Sequence, residues 1–385
     1  MHSARLSRLH IPALSGVRIV PASMIFFYHW LFDATDAWPS ALRAIFKQGY
    51  LGVAIFFALS GFLFALRYAP NLPNTSASQY GRFVLHRFLR IYPLYFFILT
   101  VFVVWIGRPE GLVPTARGDL FLLYALLQSF SPPLLLAGVQ TAWTLTISEM
   151  FYLLAPWLLR AMPFGSAWRR QFVFVGLISV FGLGLAFGLS RLPAWPGSLI
   201  GAPLGYVLFR TIIGRLPEFL LGVLAGHCYL RHQMHPGPFT RYLPKLIWPG
   251  IALILVCALM MDGLNVPEAN SILFFVLNAA TAVATAVALL GLASDISRQH
   301  IVTRFLSQKP MIFLGKISYA FFLIQLTEPC QWLYWIAFGS IEDRWSRAIL
   351  LYVATLTFSA FLYLMIEKPT DRLVRKIEQK AIYVR

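Results

Sequence analysis

Apolar stretches long enough to cross a bilayer recur from one end of this chain to the other, and that recurrence decides its class. A crossing helix needs about 20 predominantly apolar residues. Ten such spans are predicted, at roughly 15–34, 50–68, 90–107, 143–160, 172–190, 214–231, 246–262, 272–293, 311–337 and 347–366. The ninth is long and is expected to tilt or project. Only 12% of the residues are charged, about half the share of a soluble domain. The expected fold is therefore an all-α integral membrane bundle of about ten transmembrane helices. Residues 1–385 are expected to form a single transmembrane domain, with no room for an appended soluble domain of typical size. No internal repeat or low-complexity stretch is evident.

The formal charge of +17 would suggest nucleic acid if the chain were soluble. Here the basic residues sit in short loops beside apolar runs, which is what membrane topology demands. One side receives Arg5 and Arg8, then Arg82, Arg87 and Arg90, then Arg160, Arg169 and Arg170. The same side receives Arg231, Arg241 and Lys245, then Arg298, Arg304 and Lys309, and the tail from Lys368 to Arg385. The opposite loops are mixed or acidic, with Asp33 and Asp36, Arg108 and Glu110, Asp262 and Glu268, and Glu342 and Asp343. Both termini are then cytoplasmic. This alternation holds only if the apolar segment 119–137, which contains Pro132 and Pro133, does not span. It is expected to be a re-entrant or interfacial helix on the outer side, packed against protein.

The basic N-terminus lacks a small-residue cleavage motif, so the first helix is expected to be retained. Trp30, Trp38, Trp105, Trp143, Trp332, Trp335 and Trp345 fall near predicted outer ends, as an aromatic belt would. Cys228, Cys257 and Cys330 each lie in an apolar run without metal-ligand spacing, so buried free thiols are expected and no metal is. Membrane lipids, anionic headgroups among them, or a phosphate-bearing cofactor are the expected partners, and nucleic acid is not.

Ionisable groups inside a membrane span mark a site by default. The first span holds Arg18 and, eleven residues later, His29. Eleven helical steps return to nearly the same face, about 16 Å further along the axis. Glu149, in the fourth span, is expected at a depth similar to His29, each within about 10 Å of the outer boundary. An imidazole beside a carboxylate is the usual arrangement of a general base. The two could equally satisfy separate neighbours in the bundle, and Asp33 is a rival orienter four residues after His29. At the inner end, Arg18, Arg67, Arg82, Arg87 and Arg90 suit phosphate oxygens, or simply follow the positive-inside bias with snorkelling. A long donor with a phosphorylated head at Arg18 could reach His29 with its tip, and coenzyme A thioesters have that form.

Arg215 and Glu218 are spaced as an i,i+3 pair and read first as a structural ion pair. Lys316, Gln325 and Glu328 punctuate the ninth span, where Glu328 could line an acceptor cleft or serve helix packing. Gly49, Gly52 and Gly61 permit close helix contact, and Ser60 among them is expected to pack rather than act as a nucleophile.

Several blocks, taken in order, resemble membrane acyltransferase family 3, which includes bacterial glycan O-acetyltransferases and macrolide acyltransferases. They are SGVRIVPASMIFFYHW, GYLGVAIFFALSGFLFALR, RFVLHRFLRIYPLYFF, TAWTLTISEMFYLLAPWLL, RLPEFLLGVLAG, FLGKISYAFFLIQL and the closing IEKP. The resemblance implies a cytoplasmic acyl-CoA donor, usually acetyl-CoA. It implies transfer to a hydroxyl of an extracytoplasmic or membrane-associated glycan or lipid-linked saccharide, in a bacterial inner membrane. It implies that Arg18 and His29 are essential, with Glu149 the matching acid. The expected donor-binding set is Arg18, Arg82, Arg87, Arg90 and Tyr92. Trp143, Tyr152, Arg215, Glu218 and Glu328 are expected to serve the acceptor or the scaffold, and Tyr152, Thr146 or a backbone amide to supply the oxyanion donor. The chain departs from the family pattern at Ser15, Ala54, Ser148 and Gln325, so one acid, Glu149, stands where many relatives carry two. Some relatives add an extracytoplasmic esterase-like domain, and none is expected here. The rival class is a proton-coupled transporter using His29, Glu149 and Glu218, or a flippase. Matched broken helices or related halves, frequent in transporters, are not evident.

Overall fold

Long runs of apolar residues, with backbone groups that must be satisfied within each segment, leave helix as the economical solution, and the described residues contain helices and turns but no strand. The computed structural model describes residues 11–32, 35, 38–69, 77–104, 117–264 and 271–374. Arg5, Arg8, Asp33, Asp36, Trp105, Arg108, Glu110, Glu268 and the tail residues beyond 374 lie outside the described residues.

Among the described residues six helices are long and apolar enough to cross a membrane: Gly49–Tyr68, Gln79–Val101, Trp168–Arg191, Thr240–Gly263, Ile272–Ser294 and Arg344–Val374. A further candidate is a broken pair, Lys309–Ile324 and Glu328–Ala337, meeting at 86°. The ninth predicted span is thus not one long tilted helix. The chain turns at 325–327, where the Thr327 hydroxyl donates to Ile324 O (2.6 Å) and Pro329 opens the next helix without an N–H to extend the previous one. The other predicted spans are also helical, as Ile19–Leu31, Trp143–Ala161 and Ile212–Met234, but they are not among the six.

The first predicted span differs in detail. Pro12–Gly16 and Ile19–Leu31 are separate helices with a turn at Val17 and Arg18. Pro21 has no N–H to give the Val17 carbonyl, which instead accepts from Val20 N (3.1 Å). Arg18 is the N-cap of the second helix rather than an interior residue. Its dihedrals remain helical (φ −60°, ψ −29°), so its phase relation to His29 survives the break.

The chain divides into two compact units. The first comprises Met1–Asn74, Leu154–Ala194 and Ile200–Lys316. At its centre the helices Gly52–Tyr68 and Ile212–Met234 pack backbone to backbone. A Cβ on Gly61 would overlap Phe219 O, and one on Gly222 would overlap Ala58 O. Gly61→Val is therefore expected to destabilise the protein by about 3 kcal/mol or more, read as a lowered Tm in detergent. Gly176→Val, at a helix position with open space around it, serves as the control and should shift Tm little. An apolar cluster of Leu51, Val207, Phe209, Met261 and Phe274 fills another part of this unit. Above it, Arg43 in the helix Ser40–Lys47 pairs with Asp262 (2.8 Å).

The second unit comprises Thr75–Leu153, Trp195–Leu199 and Ile317–Arg385. Its core gathers Leu94, Tyr95, Leu99, Leu123, Leu145 and Leu323 among others. Segment 119–137 lies here and forms no span-length helix. A short helix, Arg117–Tyr124, gives way to single turns at Gln128–Phe130 and Pro132–Leu134. Tyr95 OH donates to Leu123 O (2.7 Å), and the buried Gln128 amide donates to Leu135 O (3.0 Å). Side chains thus supply the partners that this irregular backbone needs away from water. Cys257 and Cys330 are buried free thiols, and Cys228 is a half-buried one.

Candidate active site

In the first unit, His29 stands in the last turn of Ile19–Leu31, a helix otherwise lined by Ile19, Ala22, Ile25 and Phe26 facing the core. Part of its ring is exposed, while protein crowds the rest. The Arg210 guanidinium lies within electrostatic reach of the imidazole, and Tyr206, one turn earlier on the helix Leu204–Arg210, feels the same charge. Sequence reasoning missed both residues, because 204–210 falls between two predicted spans. The signal available was an arginine closing the apolar run YVLF.

Tyr28, beside His29, begins a chain of ring contacts. Tyr28 meets Tyr50 at 5.5 Å, Tyr50 stacks on Phe274 at 5.2 Å, and Phe274 meets Phe209 edge-on at 4.3 Å. Behind Phe209 lies the buried pair Arg215 and Glu218, joined at 2.6 Å. Arg215 also donates to Phe209 O (2.9 Å) and Asn278 Oδ1 (3.1 Å). The two residues therefore form the ion pair which the i,i+3 spacing suggests, with Glu218 Oε2 buried and without a hydrogen-bond partner among the described residues. Arg18 is half-buried at the opposite end of the His29 helix.

In the second unit, Glu149 projects from the helix Trp143–Ala161 and is only 8% exposed. Arg87 on the helix Ala77–Val104 lies within its electrostatic reach, with its guanidinium 4.7 Å from the centre of the Tyr152 ring. Arg82 and Arg90 on the same helix are exposed, whereas Arg87 is half-buried and packs beside Phe83. Helical phase separates Arg82 from Arg87, which shares the inward face with Phe83 and Leu94, whereas Arg90 lies on that same face and is nevertheless exposed. Tyr92 stacks on Phe88 at 4.2 Å. Trp143, expected near the outer boundary as part of the belt, is instead buried, as the neighbouring Ala142 and Leu145 in the core of this unit require. Trp332 and Trp335 are exposed, as belt residues would be. Glu328 is half-buried in the first turn of the short helix Glu328–Trp332.

Tyr319 is a second residue the sequence reading passed over. Its hydroxyl donates to Ile91 O (2.7 Å), and Glu149 and Glu367 both act on it electrostatically. The pattern that could have flagged it lies in the FLGKISYAFF and IEKP blocks, where Lys316, Gln325 and Glu328 draw attention first. Among the described residues no group of His, Cys, Asp and Glu could hold a metal ion.

Residues 11–364 match a family model described as an acyltransferase domain. The chain is similar to the acyltransferase MdmB of Streptomyces mycarofaciens, at 27% identity over 337 residues, covering 82% of this chain and 78% of that protein. It is similar to the peptidoglycan O-acetyltransferase OatA of Listeria monocytogenes, at 27% identity over 169 residues, covering 40% of this chain and 25% of that protein. With the O-acetyltransferase OatA of Staphylococcus aureus it shares 23% identity over 332 residues, 82% of this chain and 50% of that protein. The chain thus spans half or less of the length of the two OatA proteins. A family match over nearly the whole length, on a helical frame with several membrane-compatible spans, gives the conclusion that this chain belongs to acyltransferase family 3.

Proposed function

We propose that the protein is a multi-pass membrane O-acyltransferase that moves an acyl group, acetyl first among candidates, from acyl-CoA to a hydroxyl of a glycan or lipid-linked saccharide. The observation that carries this reading is His29, an accessible imidazole in an otherwise apolar helix of a chain belonging to an acyltransferase family. In this reading the first, fourth and sixth predicted helices complete a single ten-span domain with cytoplasmic termini in the bacterial inner membrane. The relatives named as O-acetyltransferases, one of them acting on peptidoglycan, support the acceptor class.

His29 takes the proton from the acceptor hydroxyl, and Glu149 is the matching acid that the family resemblance implies. The acceptor oxygen attacks the thioester carbonyl. The tetrahedral intermediate collapses with cleavage of the C–S bond, and the proton held by His29 returns to the departing thiolate. Arg18 and Arg87, with Tyr92 and the exposed Arg82 and Arg90, hold the phosphorylated head of the donor. Arginine suits that task because its planar fork matches phosphate oxygens.

The test is acyl transfer by purified protein in nanodiscs supplied with radiolabelled acetyl-CoA and a peptidoglycan fragment. CoA release coupled to label in the saccharide supports the reading. Proton-coupled saccharide movement in proteoliposomes, with no CoA released, would replace it by a transporter. Arg87→Gln is expected to raise the KM for acetyl-CoA about tenfold, the effect of one charge-assisted hydrogen bond. Arg82→Gln, on the exposed side of the same helix, should change it less.

A further inference from the structure

Hydroxyl groups inside apolar helices usually donate back to a carbonyl three or four residues earlier. This chain follows that habit closely. Thr144 donates to Thr141 O (2.8 Å) and Ser148 to Thr144 O (2.9 Å). Thr281, Thr285 and Ser359 donate to Leu277 O (2.9 Å), Thr281 O (2.8 Å) and Thr355 O (2.6 Å). Thr146, like Ser294 and Thr303, breaks the pattern. It lies between Thr144 and Ser148, is fully buried, and its hydroxyl makes no hydrogen bond among the described residues. One turn further on, Glu149 Oε1 is likewise buried without a hydrogen-bond partner. An i,i+3 spacing puts both oxygens on one side of the helix. Two buried polar atoms left unpaired on one helix face call for an explanation, and a bound group is one that satisfies both.

The chemistry of the two atoms selects that group. Thr146 offers an O–H, and Glu149 offers an acceptor. An alcohol or a water satisfies both at a single oxygen. A carbonyl has nothing to donate to Glu149, an ammonium cannot accept from Thr146, and a phosphate or carboxylate is repelled by the acid. An oxyanion is disfavoured for the same reason, which removes Thr146 from the candidate oxyanion donors. We propose that Thr146 and Glu149 form a two-point notch for a hydroxyl of the acyl acceptor other than the one His29 deprotonates, Thr146 donating to its oxygen and Glu149 accepting its O–H, with water in that place when no acceptor is bound. Thr146 is then a positioning residue for the acceptor, and this assignment rests on the acyltransferase reading above.

The experiment compares wild type, Thr146→Val and Thr146→Ser, with acetyl-CoA and an N-acetylglucosamine tetrasaccharide as the probe acceptor. Valine keeps the shape and removes the hydroxyl, and serine keeps the hydroxyl. Thr146→Val is expected to raise the KM for the saccharide about five- to tenfold, with the KM for acetyl-CoA changed less than about twofold. Thr146→Ser should restore the saccharide KM to within about twofold of wild type. Equal saccharide KM values in wild type and Thr146→Val overturn the proposal. A second measurement does not depend on activity. An experimental density map of the wild-type protein should show an oxygen bridging Thr146 Oγ1 and Glu149. A Thr146 hydroxyl turned back onto Ala142 O, with nothing between the two side chains, overturns the notch. Absence of any acyl transfer by wild type, with the bridging oxygen present, defeats the acyltransferase reading and leaves the hydroxyl notch standing.

Discussion

His29→Ala is expected to slow acetyl transfer by about 100- to 10,000-fold, the contribution typical of a positioned general base. The protein should remain folded, because part of the His29 ring is exposed and the core face of its helix is made by Ile19, Ala22, Ile25 and Phe26. The measurement is release of CoA thiol together with label in the saccharide, at matched amounts of protein that elute as a single species. Transfer within about twofold of wild type would sink the assignment of the base. The same preparation separates two routes. Direct transfer predicts no label on wild-type protein incubated with acetyl-CoA alone. An acyl-enzyme at His29 predicts label that is lost in His29→Ala. Glu149→Gln should fall between wild type and His29→Ala, since an orienting acid acts through the base it serves.

Composition and run length carried the class of the fold, because a lipid interior permits few solutions. They carried less of its detail, and the reasons are local. The break at Val17 and Arg18 depends on one missing donor at Pro21, which a hydropathy reading does not weigh. The bend at 325–327 has the same origin at Pro329, reinforced by the Thr327 hydroxyl taking the Ile324 carbonyl. Segment 119–137 was legible because charge alternation and paired prolines argued against a span, and the backbone is indeed irregular there. The glycines were legible for a different reason. Small residues in an apolar run have few uses other than close approach, and Gly61 lies against Phe219 O as that reasoning expects.

The candidate site was legible where an ionisable residue interrupts a predicted span. That criterion selects His29, Glu149, Arg215 and Glu218 directly. It passes over Arg210, which lies in a short helix between spans and reaches His29 only through the fold. It treats Arg82, Arg87 and Arg90 alike, although Arg87 is half-buried against Tyr152 and the other two are exposed. It says nothing about Thr146, because hydroxyls are common in membrane helices and this one is set apart only by a missing hydrogen bond one turn from a second unpaired atom, Glu149 Oε1.

Arg215→Met is expected to be the most destabilising of the charge substitutions, by about 3–5 kcal/mol. Arg215 and Glu218 are each 3% exposed, and the guanidinium binds Glu218, Phe209 O and Asn278 at once. Removing it strands a buried carboxylate and two further acceptors. Replacing both charges, as Arg215→Met with Glu218→Gln, leaves no unpaired ion and should recover most of the loss, because the pair offsets its own desolvation rather than adding much beyond it. Thermal unfolding in detergent across wild type, both single variants and the double variant forms a complete cycle. A structural pair predicts strong coupling, with acyl transfer returning alongside Tm in the double variant. If Tm returns and transfer does not, the pair acts on the acceptor as well as on the scaffold. If Arg215→Met melts within a degree or so of wild type, the network around Phe209 and Asn278 does not hold this unit together, and the i,i+3 spacing has been given a role it lacks.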